Sequence, residues 1–331
     1  MLNQQFHLNT KMFDDDVEQV PIRKGFGQGL LKAGELDPNV VALCADLVES
    51  TQMHFFSERF PERYVEIGVA EQNLVTVAAG MAAMGKIPFA SSYAMFSPGR
   101  NWEQIRTTAC YNDLPVKVVG SHAGVSVGPD GGTHQAIEDI ALMRILPNMV
   151  VISPCDSIEA HKATMATALD KHPTYLRLAR EKTPIMTTDD TPFEIGKAQI
   201  FYTPDTGLAQ VGIIATGALV HKAMMTAKKL EAEGIKVKVM NMATIKPLDE
   251  NAVIELAKET GRIVTVEEHQ IKGGLGGAIA EFLAQNHPTM IEFVGVKDVF
   301  GQSGTPNELI EHYGMGAKDV EAAVRKILIR K

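Results

Sequence analysis

The sequence of 331 residues is long enough for two domains of ordinary size, each with its own apolar core. Hydrophobic residues make up 45% of it and charged residues 22%, which is the balance of a water-soluble globular protein. A formal net charge of -8 argues against an extended basic surface of the kind that binds nucleic acids or anionic membranes.

The three cysteines, Cys44, Cys110 and Cys155, are widely spaced and form no C-x-x-C pair. This spacing favours buried free thiols in a reducing compartment. Residues 1–20 lack the apolar core of a signal peptide, and the sequence contains no run of about 18 apolar residues. We therefore expect a cytoplasmic protein without a membrane-spanning segment.

Strand-like and helix-like segments alternate through the first half of the chain, separated by Gly, Pro, Asn or Asp. This alternation predicts crossover connections and a mostly parallel sheet flanked by helices, which is the α/β class. The predicted strands lie at 40–47, 63–69, 87–96, 114–122, 149–156 and 173–179, and the predicted helices at about 74–84, 101–111, 134–145 and 157–171.

A change of composition separates the two halves. Residues 181–208 carry several prolines and show no long apolar period, so we predict domains at 1–190 and 209–331, joined by a linker at 191–208. The alternation then resumes, with a capping box at Thr305, Pro306 and Glu308. The predicted strands of this half lie at 210–217, 236–242, 262–268 and 290–296, and one helix lies at 220–232.

Some motifs are similar to known sites but lack required parts. "GMAAMGKI" (80–87) has Ile87 where a P-loop has Ser or Thr, and we interpret Gly85 as a helix C-cap. "GGLGGAIAEFL" (273–283) lacks the G-x-G-x-x-G spacing, so close packing of a strand against a helix is favoured. His134 and Glu138 could share a metal, but a plain surface helix is the preferred interpretation.

Polar side chains gather in the loops that follow three predicted strands. Because the carboxyl ends of parallel strands meet at one edge of a sheet, these loops should lie together. They carry Asp46, Glu49 and Ser50; Glu71; and, within the glycine-rich loop "HAGVSVGPDGGTHQ" (122–135), His122, Asp130 and His134. Glycines let the backbone approach a ligand closely, and histidines titrate near neutral pH. The loops together predict an active site.

These features also have plain structural interpretations. Glu71 could simply complement the dipole of the helix that it begins, and the glycine-rich loop could be a connection. Tyr93 and Phe96, in "SSYAMFSPGRNW" (91–102), could be core residues or could wall a flat heteroaromatic ring beside Glu71. The residues by themselves leave these alternatives open.

Four segments in series resemble the latter half of transketolase: "IGVAEQNLVTVAAGMA", "SYAMFSPGRNWEQIR", "GSHAGVSVGPDGGTHQAIEDIALMR" and "PNMVVISPCDSIEA". The likeness continues to the C-terminus and so covers nearly the whole chain. It implies a pyrimidine-binding domain over 1–190 and the transketolase C-terminal domain over 209–331, each with a mostly parallel sheet between helices.

The resemblance implies that thiamine diphosphate is the cofactor and that a two-carbon ketol unit passes from a ketose phosphate to an aldose phosphate. Glu71 matches the carboxyl group that hydrogen-bonds a ring nitrogen of the cofactor's aminopyrimidine and shares a proton with it. Tyr93 and Phe96 match the rings that stack around the pyrimidine. Asp46 matches a residue that approaches the cofactor.

Other matching positions imply contacts with sugar phosphates. Asp130 and His134 match residues that contact the hydroxyls of the donor sugar, and His134 is also placed for proton transfer. Arginine suits phosphate binding because its planar fork meets the oxygens in pairs. The residues that match the phosphate-holding group are Arg23, Ser50, His122 and Arg180.

The chain lacks the G-D-G motif with which a full transketolase holds magnesium and the diphosphate. The resemblance therefore implies the C-terminal subunit of a split transketolase. Its partner, an N-terminal subunit, would hold Mg²⁺ (or Ca²⁺) and the diphosphate, and no metal site is expected in this chain. An α2β2 assembly that pairs through the pyrimidine domains is implied, with no nucleic acid or membrane partner. Departures from the family pattern at Gly99, Pro129 and Gly132 bear on the pocket edge and the sugar preference.

Three rival functions remain open at this point. Deoxyxylulose-phosphate synthase shares the A-E-Q motif but is normally one long chain. The beta subunits of 2-oxo acid dehydrogenases lack the "DGGTHQ" signature. A non-catalytic partner subunit is the third alternative, and Glu71, His122 and His134 argue against it.

Overall fold

Two large sheets and one two-stranded pair hold the strands of the computed structural model, which describes residues 1–330. The strands are β1 (Gln19–Pro21), β2 (Val40–Cys44), β3 (Tyr64–Glu66), β4 (Ile87–Tyr93), β5 (Lys117–Ser121), β6 (Val150–Ile152), β7 (Thr174–Arg177), β8 (Lys182–Pro184), β9 (Gln199–Tyr202), β10 (Val211–Ala215), β11 (Val237–Asn241), β12 (Thr244–Lys246), β13 (Arg262–Gln270) and β14 (Met290–Val296).

Helices cover the faces of both large sheets. They are α1 (Ile22–Leu36), α2 (His54–Arg59), α3 (Glu71–Ala83), α4 (Trp102–Gln104), α5 (Asp139–Arg144), α6 (Ser157–Leu169), α7 (Val220–Ala232), α8 (Glu250–Thr260), α9 (Leu275–Asn286), α10 (Pro306–His312) and α11 (Ala317–Ile329). A π-helical segment, Ile105–Cys110, continues α4. None of the helices within residues 1–330 combines the length and the apolar character that crossing a bilayer requires.

The first large sheet has the strand order β12-β6-β7-β5-β4-β2-β3. Its six strands from the first half of the chain run parallel to one another, whereas β12 comes from the second half and pairs antiparallel with β6. The α/β class with parallel sheets is therefore confirmed. The loops that follow β2, β3, β4 and β5 leave the same edge of this sheet.

The second large sheet has the order β14-β13-β10-β11-β9 and is parallel except for β9. β9 lies within residues 191–208, the segment that the sequence predicts to be the linker, and it pairs with β11. The N-terminal residues also pack on this half: Asn3 N donates to Phe201 O at 3.0 Å, and Leu8 and Met12 belong to its apolar core. The second half thus draws residues from outside 209–331.

Three local predictions can be compared with the structure at residue level. Gly85, the predicted C-cap, lies just beyond α3 with a φ of +86°, and the helix predicted at 220–232 is α7. The helix predicted at 134–145 begins only at Asp139, so placing His134 on a surface helix was wrong. His134 lies in a turn of the preceding loop, and its ring contacts the ring of Phe96.

Helix α1 is absent from the sequence-based prediction because its glycines disfavour an isolated helix. Packing explains them: a Cβ on Gly25 would lie 1.8 Å from the carbonyl oxygen of Ser157 in α6. The "GGLGG" segment has a similar explanation. A Cβ on Gly276 would lie 2.6 Å from Phe293, and the buried Glu267 carboxylate accepts from the backbone N of Leu275 and of Gly276. A protein carboxylate therefore occupies this helix N-terminus.

Helix α3, which the sequence suggested is packed on every side, has an exposed face in the chain. Leu74, Val75, Ala78 and Ala79 are buried, whereas Gln72, Asn73, Thr76, Gly80 and Met84 are exposed. Its first residue, Glu71, is nevertheless buried, because the polypeptide after β4 folds over it.

Candidate active site

Glu71 is 4% exposed and begins α3, close to the carboxyl end of β3. The Nη1 atom of Arg100 lies 3.1 Å from both carboxylate oxygens of Glu71, and the Arg100 side chain is 52% exposed. The Asn101 amide donates to the backbone oxygen of Glu71 at 2.9 Å and to Ser97 Oγ at 3.1 Å. The loop after β4 thus contacts both the side-chain carboxylate and the backbone oxygen of Glu71.

Aromatic rings extend from Arg100 toward the glycine-rich loop. The Arg100 guanidinium carbon lies 4.2 Å from the centroid of the Phe96 ring, a cation–π contact. Tyr93 is nearly parallel to Phe96 at 6.2 Å and stacks on His122 at 3.9 Å between centroids. His134 meets the Phe96 ring edge-on at 5.3 Å. Four predicted site residues therefore form one aromatic group beside Glu71.

His122 follows β5 in a left-handed backbone conformation with a φ of +59°. Its ring is 2% exposed, and its Nδ1 lies 2.8 Å from Ser121 Oγ. Burial and the positive charges of Arg23 and Arg180 lower the pKa of His122 to about 3. The ring is therefore neutral at physiological pH and can exchange hydrogen bonds without carrying charge.

Two arginines, Arg23 and Arg180, lie side by side at this group. Arg23 donates to the backbone oxygens of Arg180 and Ser50, and Arg180 Nη1 lies 3.7 Å from Asp130 Oδ1. Burial and the charge of Arg180 lower the pKa of Arg23. Two guanidinium groups held together against their repulsion form a site suited to an anion with several oxygens.

Asp46 lies at the exposed end of β2, with a φ of +57°. Its backbone N donates to Glu66 Oε1 at 2.8 Å, and Tyr64 donates its hydroxyl hydrogen to Glu66 Oε2 at 2.7 Å. The sequence analysis missed Glu66, although its place at the end of a parallel strand was an available signal. It also missed Arg100, which no spacing rule connects to Glu71.

The glycine-rich loop is fixed by the second half of the chain. Ser126 N donates to Glu268 Oε1 at 2.6 Å, and the Gln135 amide donates to Gln302 O at 2.9 Å. Gly131 and Gly132 lie so close to residues 301–303 that a Cβ on Gly132 would be 2.6 Å from Gly301 O. The second half therefore sets the conformation of a loop in the first half.

Two family models match this chain, one in each half. A family model for the transketolase pyrimidine binding domain matches residues 18–186, and a model for the transketolase C-terminal domain matches residues 206–320. This chain belongs to the transketolase family. The family models cover most of the two predicted domains, 1–190 and 209–331. The exact bounds of these domains stay a prediction.

Relatives of similar length are known among transketolases. A protein of Methanocaldococcus jannaschii, named for a transketolase C-terminal section, is 44% identical over 93% of this chain and 95% of its own. A 6-deoxy-6-sulfo-D-fructose transketolase subunit of a Clostridium species is 38% identical over 96% of this chain and 98% of its own. The solved structure of a split gene transketolase, described as an inactive beta4 tetramer, superposes with a TM-score of 0.86 at 44% identity, covering 93% of this chain and 98% of that one.

The transketolase family implies dependence on thiamine diphosphate, and the chemistry of this group of side chains fits the aminopyrimidine half of that cofactor. Glu71 offers a buried carboxylate, and Tyr93 and Phe96 offer nearly parallel rings for a flat heterocycle. Within residues 1–330, His, Cys, Asp and Glu side chains nowhere form a group of three that could hold a metal ion.

Proposed function

We propose that this chain is the C-terminal subunit of a split transketolase that transfers a two-carbon ketol unit from a ketose phosphate to an aldose phosphate. The observation that carries the proposal is the buried Glu71 carboxylate beside the Phe96 and Tyr93 rings, with two arginines at the far end of the same group. A carboxylate, a flat apolar wall and an anion site are what a thiamine cofactor and a sugar phosphate require.

Thiamine diphosphate, when bound, supplies the nucleophilic carbon that breaks and re-forms the bond beside a ketose carbonyl. Glu71 shares a proton with a ring nitrogen of the aminopyrimidine, and the low-dielectric surroundings of its carboxylate strengthen that hydrogen bond. Tyr93 and Phe96 hold the pyrimidine plane. Asp46, at the exposed end of β2, approaches the cofactor from the side.

The remaining site residues hold the sugar. Asp130 binds a donor hydroxyl, and His134 binds another and moves a proton at that oxygen. Neutral His122 donates a hydrogen bond to the phosphate without adding charge, which leaves the ionic attraction to the arginines. The residues proposed to hold the phosphate are Arg23, Ser50, His122 and Arg180.

The proposal includes a partner subunit. The diphosphate and its Mg²⁺ (or Ca²⁺) would be held by an N-terminal subunit that carries the G-D-G motif, in a cytoplasmic α2β2 assembly. Support comes from the matched solved structure, whose description names a split gene transketolase and a beta4 tetramer. The exposed face of α3, beside Glu71, is where the pyrimidine domains would pair.

The test is ketol transfer by this chain reconstituted with its G-D-G partner, thiamine diphosphate and Mg²⁺. We expect turnover of xylulose 5-phosphate with ribose 5-phosphate, and a loss of about 100-fold or more in Glu71→Gln. Glu103→Gln is a matched control, because this exposed carboxylate bonds only the neighbouring Gln104 side chain.

Unchanged turnover in Glu71→Gln would refute the assignment of Glu71. Turnover of pyruvate with glyceraldehyde 3-phosphate in place of the pentose pair would favour the deoxyxylulose-phosphate-synthase-like alternative. A related subunit is named for 6-deoxy-6-sulfo-D-fructose, so the same assay with other ketose substrates identifies the natural donor.

A further inference from the structure

Arg100 makes, with one side chain, both contacts that the proposed function assigns to the aminopyrimidine. Its Nη1 donates to the two carboxylate oxygens of Glu71 at 3.1 Å. Its guanidinium carbon lies 4.2 Å from the centroid of the Phe96 ring. A guanidinium is planar, carries several N–H donors and stacks on aromatic rings. A guanidinium can therefore donate to Glu71 and stack on Phe96 at the same time, as the aminopyrimidine is proposed to do.

The backbone near Arg100 is rigid, although the side chain itself is half exposed. Arg100 N donates to Phe96 O at 2.9 Å, one helical turn earlier, and a Cβ on Gly99 would lie 1.8 Å from Met95 O. The next residue, Asn101, donates its side-chain amide to the backbone oxygen of Glu71 at the start of α3. The guanidinium can thus swing toward solvent about its own side-chain bonds while the loop stays in place.

We propose that Arg100 is a resident placeholder for the aminopyrimidine, a side chain that fills the cofactor's place between Glu71 and Phe96 and leaves when the cofactor binds. The inference deepens the proposed function and rests on it. A pyrimidine nitrogen and the Arg100 Nη1 need the same carboxylate oxygens, and the pyrimidine ring and the Arg100 guanidinium both stack on Phe96. The two contacts of Arg100 must therefore break before the cofactor's can form.

Arg100 also balances the charge of a buried carboxylate. While Arg100 is bound, the Glu71 carboxylate has a cationic partner 3.1 Å away. When Arg100 leaves, the buried Glu71 side chain faces a neutral heterocycle instead of a cation. Arg100 therefore keeps the buried Glu71 carboxylate paired until the cofactor binds.

Cofactor affinity is the direct readout. Calorimetric titration of thiamine diphosphate into the reconstituted pair should show Arg100→Gln binding the cofactor about three- to tenfold more tightly than wild type, because no ion pair must be broken first. The matched control is Arg106→Gln, which removes the same charge from an exposed arginine of the following π-helical segment. Its affinity should equal that of wild type.

A second readout uses the isolated subunit. Arg100→Gln should lower its melting temperature by about 2 °C at neutral pH, and the same substitution in a Glu71→Gln background should lower it by less, because only the contact with Phe96 is then lost. Thermal stability of this kind is measured without any cofactor, so it tests the Arg100–Glu71 contact apart from the enzyme's activity.

The outcomes separate the two proposals. If Arg100→Gln binds thiamine diphosphate equally or more weakly than wild type, the placeholder is refuted while the proposed function stands. If the wild-type pair does not bind thiamine diphosphate at all, the proposed function fails, and the placeholder fails with it. If Arg100→Gln and Arg106→Gln melt alike, the contact has no energetic weight and the placeholder is also refuted.

Discussion

Asp139 and Arg177 form a buried ion pair between the end of the glycine-rich loop and the second half of the chain. Their side chains are 2% and 6% exposed, respectively. Arg177 donates to the two Asp139 carboxylate oxygens at 2.7 and 3.2 Å, and the Tyr175 hydroxyl donates to one of them at 2.6 Å. Arg177 also donates to Glu268 O at 2.8 Å and to Ala136 O at 3.4 Å. The pair thus links the end of the loop to β13.

Asp139→Asn keeps the shape of the side chain but leaves Arg177 cationic and buried. Breaking a buried pair by removing one charge costs about 3–5 kcal/mol. Because an amide oxygen in the place of Oδ2 keeps two of the three hydrogen bonds, we expect the fall in the free energy of unfolding to lie at the low end of this range, about 3 kcal/mol at neutral pH. With a urea dependence of about 3 kcal/mol per molar, the urea midpoint falls by about 1 M. Fluorescence of the sole tryptophan, Trp102, and circular dichroism measure it.

The control is Glu281→Gln, which breaks a contact to Arg144 in which the glutamate is 64% exposed. Its cost in the free energy of unfolding should stay below about 1 kcal/mol.

Burial alone would raise the pKa of Asp139, but the Arg177 charge holds that pKa below its ordinary value. The stabilisation is therefore complete above the unfolded pKa of about 4 and is lost as the pH falls through the folded pKa. An Asp139→Asn variant within about 1 kcal/mol of wild type at neutral pH, or a difference that persists in strong acid, would refute the reasoning.

Two further predictions concern other buried groups. Since burial and the nearby arginines lower the pKa of His122 to about 3, its ring NMR signals should not titrate between about pH 5 and 8 in the isolated subunit, and a midpoint near the ordinary value of about 6.5 would contradict this. Burial and Asp156 raise the pKa of Glu159 to about 7, while its carboxylate accepts from Cys155 N and the Asn241 amide at 2.6 and 2.7 Å. The folded pKa exceeds the unfolded value, so the stability from this group is full below about pH 4 and is lost as the pH rises to about 7. Glu159→Gln should therefore flatten the fall of the melting temperature over that range, and an unchanged slope would count against it.

Local pattern was sufficient for the α/β class of the chain. The alternation of apolar strands and helices predicted the α/β class, because a strand and its crossover helix are specified by residues close together in sequence. It also placed Glu71, His122 and the glycine-rich loop at the carboxyl ends of parallel strands, where their side chains do gather. The short strand β12 had no such local signal, because its partner β6 lies in the other half of the chain.

The contacts that shape the site depend on distant segments. The sequence indicated that a buried carboxylate begins α3, but only the fold showed that Arg100, 29 residues away, pairs with it over the Phe96 ring. Likewise, Ser126 in the loop that carries Asp130 and His134 donates its backbone N–H to the Glu268 carboxylate, 142 residues away. A local period reports which face of an element is apolar, whereas a charge pair across the chain is decided by how the finished elements pack.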